Sequence, residues 1–185
     1  LKKIQSSSAL MMTIINQVLE MARIESGTAT LRLKAEDLSA IFHDVSSVFE
    51  SDIRKKNLQY LIDTDICHKY AICDKTKLQE IYLNIVSNAV KYTPNGKSIH
   101  VTIKEVASDD KMAQYCFICE DTGIGMSEEY LPHIFEEFSR EHTSTENKVV
   151  GTGLGLPIVK SLIELMGGNI KAESSQEVGT KFTVT

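Results

Sequence analysis

The chain of 185 residues is poorest in the features that would make it a membrane, nucleic-acid or disulfide protein. No apolar run approaches the roughly 20 residues that span a bilayer, and no secretory leader precedes the first helix. The chain begins at Leu1 without a Met and reads as a fragment, so spans in a longer parent are a separate matter. Lys and Arg number 20 against 25 Asp and Glu, a net charge of −5 with no basic cluster to offset it, which argues against a nucleic-acid partner. Four cysteines offer no framework. Cys116 and Cys119 form a C-x-x-C inside a stretch that reads as a strand, where side chains three apart point to opposite faces. Cys67 and Cys73 have no partner spacing, so the thiols are expected to be free, in a reducing, cytoplasmic compartment. No internal repeat or low-complexity tract is present. What remains, 42% hydrophobic and 24% charged, suits one globular core with room for an appendage.

That appendage is predicted first. Leu1–Glu25 reads as one amphipathic helix, with Ile4, Met11, Ile15, Val18 and Ala22 at helical spacing, widened by Leu10, Ile14, Leu19 and Met21. Gly27 stands where a C-terminal stop belongs. No other segment offers it a bundle partner, so its apolar face is expected to self-associate or fold back on the domain. From Thr28 the pattern is mixed α/β. Strands are predicted at 30–34, 58–63, 70–73, 99–106, 112–120, 169–174 and 181–184, and helices at 38–55, 74–92, near 131–138 and at 155–166.

Four segments in fixed order carry chemistry: LNIVSNAVKYTP (83–94), EDTGIGM (120–126), IFEEFSR (134–140) and GTGLGL (151–156). On the helix to Tyr92, Glu80, Asn84, Ser87, Asn88 and Lys91 fall within a stripe of roughly 100°, while apolar residues cover the rest. A helix buried on most sides must turn such a stripe toward something polar. A cavity holding magnesium-bound phosphate fits, since an Asn oxygen is a hard neutral ligand and Lys suits phosphate oxygens; an ordinary solvated stripe fits equally well on this evidence alone. Asp121 at a strand end could accept from an exocyclic amine such as that of adenine, and Thr122 could bond a water or ring nitrogen beside it. The glycines of Gly123, Ile124 and Gly125 allow the chain to turn under a base, though a plain D-x-G-x-G turn fits the same residues. Gly151, Thr152, Gly153, Leu154, Gly155 and Leu156 lead into a helix whose free N–H groups make an anion site. No strand precedes this turn and no Gly-Lys-Ser/Thr follows, which excludes the dinucleotide-binding and P-loop patterns.

Read in this order, the segments resemble the N, G1, F and G2 boxes of sensor histidine kinases, members of the Bergerat-fold ATPase group. Leu1–Gly27, ending in MARIESG, resembles the second helix of the dimerisation and histidine-phosphotransfer hairpin. The resemblance implies an α+β sandwich: a mixed sheet of about five strands on three helices, plus the N-terminal helix. It implies two parts, 1–27 and a catalytic domain 28–185 with an ATP lid at about 126–150. By the same resemblance Asn88, with Asn84 beside it, would hold Mg²⁺; Lys91 would meet phosphate, Tyr92 the ribose–phosphate region and Asp121 the adenine amine. Gly123 and Gly125 would hinge the lid, Gly151, Gly153 and Gly155 would close on the phosphates, and Thr180 would reach the adenine end through a water. Phe135 and Phe138 would anchor the lid by burying their rings, and Arg140 would face the terminal phosphate. The stretch 139–148 contains no apolar residue and is expected to be mobile without nucleotide.

ATP-hydrolysing relatives carry a Glu one turn before the magnesium Asn; here that position is Asn84, which cannot act as a base at neutral pH. The resemblance therefore implies transfer of a γ-phosphoryl group from Mg·ATP to a histidine of the parent's own hairpin, in a homodimer, with a response-regulator receiver domain as onward partner. The acceptor would lie on a helix not in this chain: His43, His68, His100, His133 and His142 have no such context. A nucleotide-gated interaction module without catalysis, or a serine-directed kinase of the same fold, is the alternative.

Overall fold

The computed structural model describes residues 2–108, 112–141 and 152–185. In chain order its elements are α1 (Lys2–Glu25), β1 (Lys34–Asp37), α2 (Leu38–Val48), α3 (Glu50–Lys55), β2 (Gln59–Asp65), β3 (Tyr70–Cys73), α4 (Lys75–Tyr92), β4 (Ser98–Ser108) and β5 (Ala113–Asp121). A short 3₁₀ turn (Leu131–His133), α5 (Gly155–Leu165), β6 (Ile170–Ser175) and β7 (Gly179–Val184) follow. Five strands form one mixed sheet in the order β2-β4-β5-β7-β6, parallel only between β2 and β4, while β1 and β3 make a separate antiparallel pair. This is the α+β sandwich expected.

The sheet buries one face against α2, α4 and α5. Ile99, Val101 and Ile103 of β4, Phe117 and Cys119 of β5 and Phe182 of β7 meet Ile81, Ile85, Ile158 and Leu162 from the helices. Burying a side chain of this size contributes roughly 1.5–3 kcal/mol. The rings of Phe42, Tyr82 and Phe117 tie α2, α4 and β5 together, with Tyr82 4.6 and 4.5 Å from the other two centroids. Cys116 and Cys119 occupy opposite-parity positions of β5 and do not approach each other; the described cysteines are all free.

Three elements depart from the sequence reading. The first strand lies at Lys34–Asp37 and not at 30–34, because the Arg32 N–H is drawn to the Asp74 carboxylate (2.8 Å) and holds the preceding stretch out of the ladder. The predicted helix 38–55 breaks at Phe49, where the Ser47 hydroxyl bonds the Asp44 carbonyl (2.7 Å) and α3 has no buried residue to hold it in line. The helix near 131–138 shrinks to one 3₁₀ turn, and Phe138 ends the segment at a φ of 58°.

Helix α1 ends as predicted: Gly27 adopts a φ of 68° and the N–H of Thr28 returns to the Arg23 carbonyl at 3.0 Å. Its C-terminal part folds back on the domain, with Met21 and Ile24 packed against the core. Further up, Met11, Met12, Ile15, Val18 and Leu19 stay exposed; the side chains of Ile4 and Leu10 lie outside the described ones.

Candidate functional site

Helix α4 is the floor of the site. Asp74 caps it by accepting from the Lys77 N–H at 3.1 Å. Burial alone would raise the Asp74 carboxyl, but the N–H groups of Arg32, Lys77 and Thr76, with the Lys77 charge, hold it below its ordinary value. Ile81, Tyr82, Ile85, Val86, Ala89 and Val90 are buried, whereas Lys77, Glu80, Asn84, Ser87, Asn88 and Lys91 are half-buried, so the polar stripe forms as the periodicity requires.

Along that stripe the chemistry changes. At the N-terminal end Lys77 pairs with Glu80 (3.3 Å) and with Glu20 of α1. Asn84 donates its amide to the Glu80 carbonyl (2.8 Å), and its oxygen faces Gly155 so closely that a Cβ there would stand 2.8 Å away. Asn88 offers a neutral amide oxygen one turn on. At the C-terminal end, burial and then the neighbouring Arg140 charge push the Lys91 ammonium below its usual pKa. Its Nζ lies 5.1 Å from the Tyr92 ring centre. Burial raises the Tyr92 phenol, against the Arg140 charge. Lys91, Tyr92 and Arg140 thus lie within electrostatic reach of one another at the C-terminal end of the stripe.

The end of β5 supplies the opposite wall. Asp121 is 7% exposed, and burial raises its carboxyl to about 6 against the opposing N–H groups of Gly123 and Thr180. The Gly123 N–H reaches Asp121 Oδ1 at 2.8 Å. A Cβ on Gly123 would fall 2.5 Å from that oxygen and 2.8 Å from the Tyr92 carbonyl; on Gly125, at a φ of 65°, it would fall 1.9 Å from the Ser175 carbonyl. Ile124 joins both sides, giving its N–H to the Tyr92 carbonyl (3.2 Å) and accepting from Glu177 (2.8 Å). Thr122 turns away: its hydroxyl accepts from the Ser98 N–H at 3.0 Å and fastens the start of β4. Thr180 stands near Asp121 but its hydroxyl meets that of Ser174 (3.0 Å).

Of the second glycine turn, Gly151 lies outside the described residues, as do His142 and residues 143–150 of the expected lid. Gly153 has a φ of 74°, and its carbonyl accepts from the Phe138 N–H at 3.0 Å. Leu154 is buried, Leu156 is half-buried, and Pro157 sits in the first turn of α5. Thr152 points to α1, donating to Gln17 Oε1 at 2.9 Å, and accepts from the Leu154 N–H at 3.3 Å. Phe135 packs on the core; Phe138, expected to bury its ring, is 62% exposed because its left-handed backbone swings it outward.

Three residues escape a reading of sequence alone. Ser174 accepts from the Met126 N–H (2.9 Å) and donates to the Gly179 carbonyl (2.9 Å), clasping the first turn to β6–β7. Gln17 joins α1 to the second turn. Lys56 reaches the end of α4 from a distant loop. None belongs to a motif, and only a tertiary contact reveals them. His68, His100 and His133 pair with Glu105, Asp63 and Glu136, surface contacts away from the stripe.

A family described as histidine kinase-, DNA gyrase B- and HSP90-like ATPase matches residues 73–185. The circadian input-output histidine kinase CikA of Synechococcus elongatus is 32% identical over 187 residues, covering 100% of this chain and 24% of that protein. The chain spans a quarter or less of the length of the first curated relatives it matches. Full-length ShkA, solved in complex with AMPPNP, superposes with a TM-score of 0.81 at 25% identity over 99% of this chain and 37% of that one. The histidine kinase ThkA, solved with the response regulator TrrA, gives a TM-score of 0.72 at 23% identity over 98% of this chain and 48% of that one, a likeness of fold.

Proposed function

We propose, on the premise that this chain belongs to the histidine kinase-, DNA gyrase B- and HSP90-like ATPase family, that it binds Mg·ATP and presents the γ-phosphoryl group to a histidine. The observation that carries this reading is the meeting of the two walls: the Tyr92 carbonyl at the end of the α4 stripe receives the Ile124 N–H of the turn after Asp121. An amine-accepting carboxylate and an amide-and-cation stripe are thereby joined in one continuous site. AMPPNP in ShkA, a structure of the same fold, agrees with a nucleotide here.

In this reading Asp121 accepts from the adenine amine, and Gly123, Ile124 and Gly125 pass beneath the base. Tyr92 borders the ribose and phosphates. Asn88, with Asn84 beside it, offers amide oxygens to Mg²⁺, a donor set that fits a metal arriving already bound to phosphate. Bound magnesium would neutralise charge on the transferring group. Lys91 and Arg140 hold phosphate oxygens in line for transfer, and the turn from Gly151 to Leu156 closes N–H groups over them. Catalysis rests on positioning and charge neutralisation. Hydrolysis is disfavoured because Asn84 is no base, and Glu80, one turn further, is occupied by Lys77.

The domain reading follows: 1–27 is the second hairpin helix and 28–185 the catalytic domain. The partners are the acceptor hairpin of the parent, in a homodimer, and then a receiver domain, as TrrA partners ThkA. No helix among the described residues is long and apolar enough to cross a membrane, and a cytoplasmic setting is proposed for this part. The test is to supply a hairpin carrying the acceptor histidine together with Mg·ATP. Acid-labile, base-stable phosphate on the hairpin is expected; acid-stable phosphate would move the assignment to a serine kinase, and no transfer despite tight nucleotide binding would move it to a gated module.

A further inference from the structure

We infer that Lys56 is a positioning residue of the nucleotide site: its ammonium cancels the negative end of α4, so that this end can face a polyphosphate. The inference rests on the nucleotide reading above.

An α-helix ends in carbonyls without intrahelical partners, which carry roughly half a unit of negative charge. Anions are ordinarily bound at the opposite end. Yet here Lys91 and Tyr92, the residues proposed to meet phosphate and ribose, occupy the last turn of α4. A polyanion brought there meets the unfavourable pole of the helix, and something has to offset it.

The usual closure is unavailable. A left-handed glycine would tuck the chain back over its own carbonyls, but Thr93 leaves in an extended conformation (φ −86°, ψ 121°) and Pro94 follows. Lys56 closes the end instead. Its Nζ donates to the carbonyls of Val90 (2.7 Å), Lys91 (2.9 Å) and Thr93 (3.1 Å), using all three of its donors. The fourth carbonyl, of Tyr92, receives the Ile124 N–H at 3.2 Å. Each of the terminal carbonyls of α4 therefore has a partner, and the pole carries a full positive charge as its cap.

Lys56 is itself fixed. It caps α3; the next residue, Asn57, takes a φ of 51°, and Leu58 is buried in the core. The Lys56 carbonyl accepts from the Gly96 N–H at 2.9 Å, closing a ring between the two loops. A lysine held this way acts as an immobile charge, unlike a solvated one.

A cap that is only structural affects every ligand alike, whereas a charge acts in proportion to the charge on the ligand. The full chain is titrated calorimetrically with Mg·ATP, Mg·ADP and adenosine as wild type, Lys56→Gln, Lys56→Met and Lys56→Arg, with melting temperatures alongside. Lys56→Gln keeps two N–H donors without the charge; Lys56→Met removes both. Expected for Lys56→Gln is a five- to tenfold weaker Mg·ATP affinity, a smaller loss for Mg·ADP and less than about twofold for adenosine, with Lys56→Arg restored to within about twofold. Equal weakening of all three ligands in either neutral variant, or no weakening in one that folds, overturns the inference while leaving the nucleotide reading intact. A wild type that binds none of the three overturns both.

Discussion

The two glycine turns of this domain are built on opposite plans. The first, Gly123–Gly125, is wedged: a Cβ at either glycine would collide with backbone, and its neighbours are bonded to α4 on one side and to the β6–β7 connection on the other. The second, reaching the described structure at Thr152, leans on one side-chain hydrogen bond to Gln17 of α1 and on the backbone of an outward-facing Phe138. The end proposed to bind the base is thus fixed by backbone contacts of the protein itself. The end proposed to face phosphate is held by contacts of a kind that a ligand can exchange, at about 1 kcal/mol per neutral hydrogen bond.

The sharpest way to break this contrast is Gly125→Ala. A methyl 1.9 Å from the Ser175 carbonyl, at a φ of 65°, is expected to cost about 4 kcal/mol and lower the melting temperature by roughly 10 °C. The same change at Gly153, where the nearest backbone atoms stand at 2.9 Å, is expected to cost less than half as much by thermal melting. Equal losses would erase the distinction between the turns.

Asp121 sharpens the comparison by pH. Its carboxyl titrates near 6 in the folded chain against 3.8 as an ordinary side chain, so the folded state holds its proton more tightly. The stability this confers is complete below about 4 and is lost as pH rises through 6, roughly 3 kcal/mol in all. The proposed adenine recognition would have the opposite sign, because there the ionised carboxylate is the acceptor. Asp121→Asn is therefore expected to raise the melting temperature of the free protein at pH 7 and to weaken Mg·ATP binding at least about 30-fold. The wild-type affinity is expected to fall as pH drops through 6; calorimetry at pH 5.5 and 7.5 reads both effects.

The smallest effect belongs to the second turn. Gln17→Ala removes one hydrogen bond to Thr152 and is expected to cost about 1 kcal/mol or less. Faster amide exchange through the last two turns of α1, with no change around Gly123, is the expected pattern.

Much of this was legible in the sequence because it depends on spacing alone. The α4 stripe, the stop at Gly27 and the divergence of Cys116 from Cys119 each follow from 3.6- or 2-residue periods or from glycine's freedom. The site residues fared less evenly. Asn88 and Lys91 stand on the half-buried stripe and Asp121 at the end of β5, placements that spacing predicts, but Thr122 spends its hydroxyl on Ser98, and Thr152 turns to Gln17, 135 residues away. The break at Phe49 and the reach of Lys56 across 34 to 37 residues have no local signature. They are decided by what the chain meets after folding.

One feature of the sheet bears on how the domain is made. Strand β7 lies inside the sheet, between β5 and β6, although it follows both in the chain. A nascent chain lacking Gly179–Val184 leaves the outer edge of β5 bare and β6 with nothing to join, and Asp121 without the Thr180 N–H that steadies it. The wall around Asp121 is therefore complete only once this strand has been made, and until then the β5 edge is open to unwanted pairing.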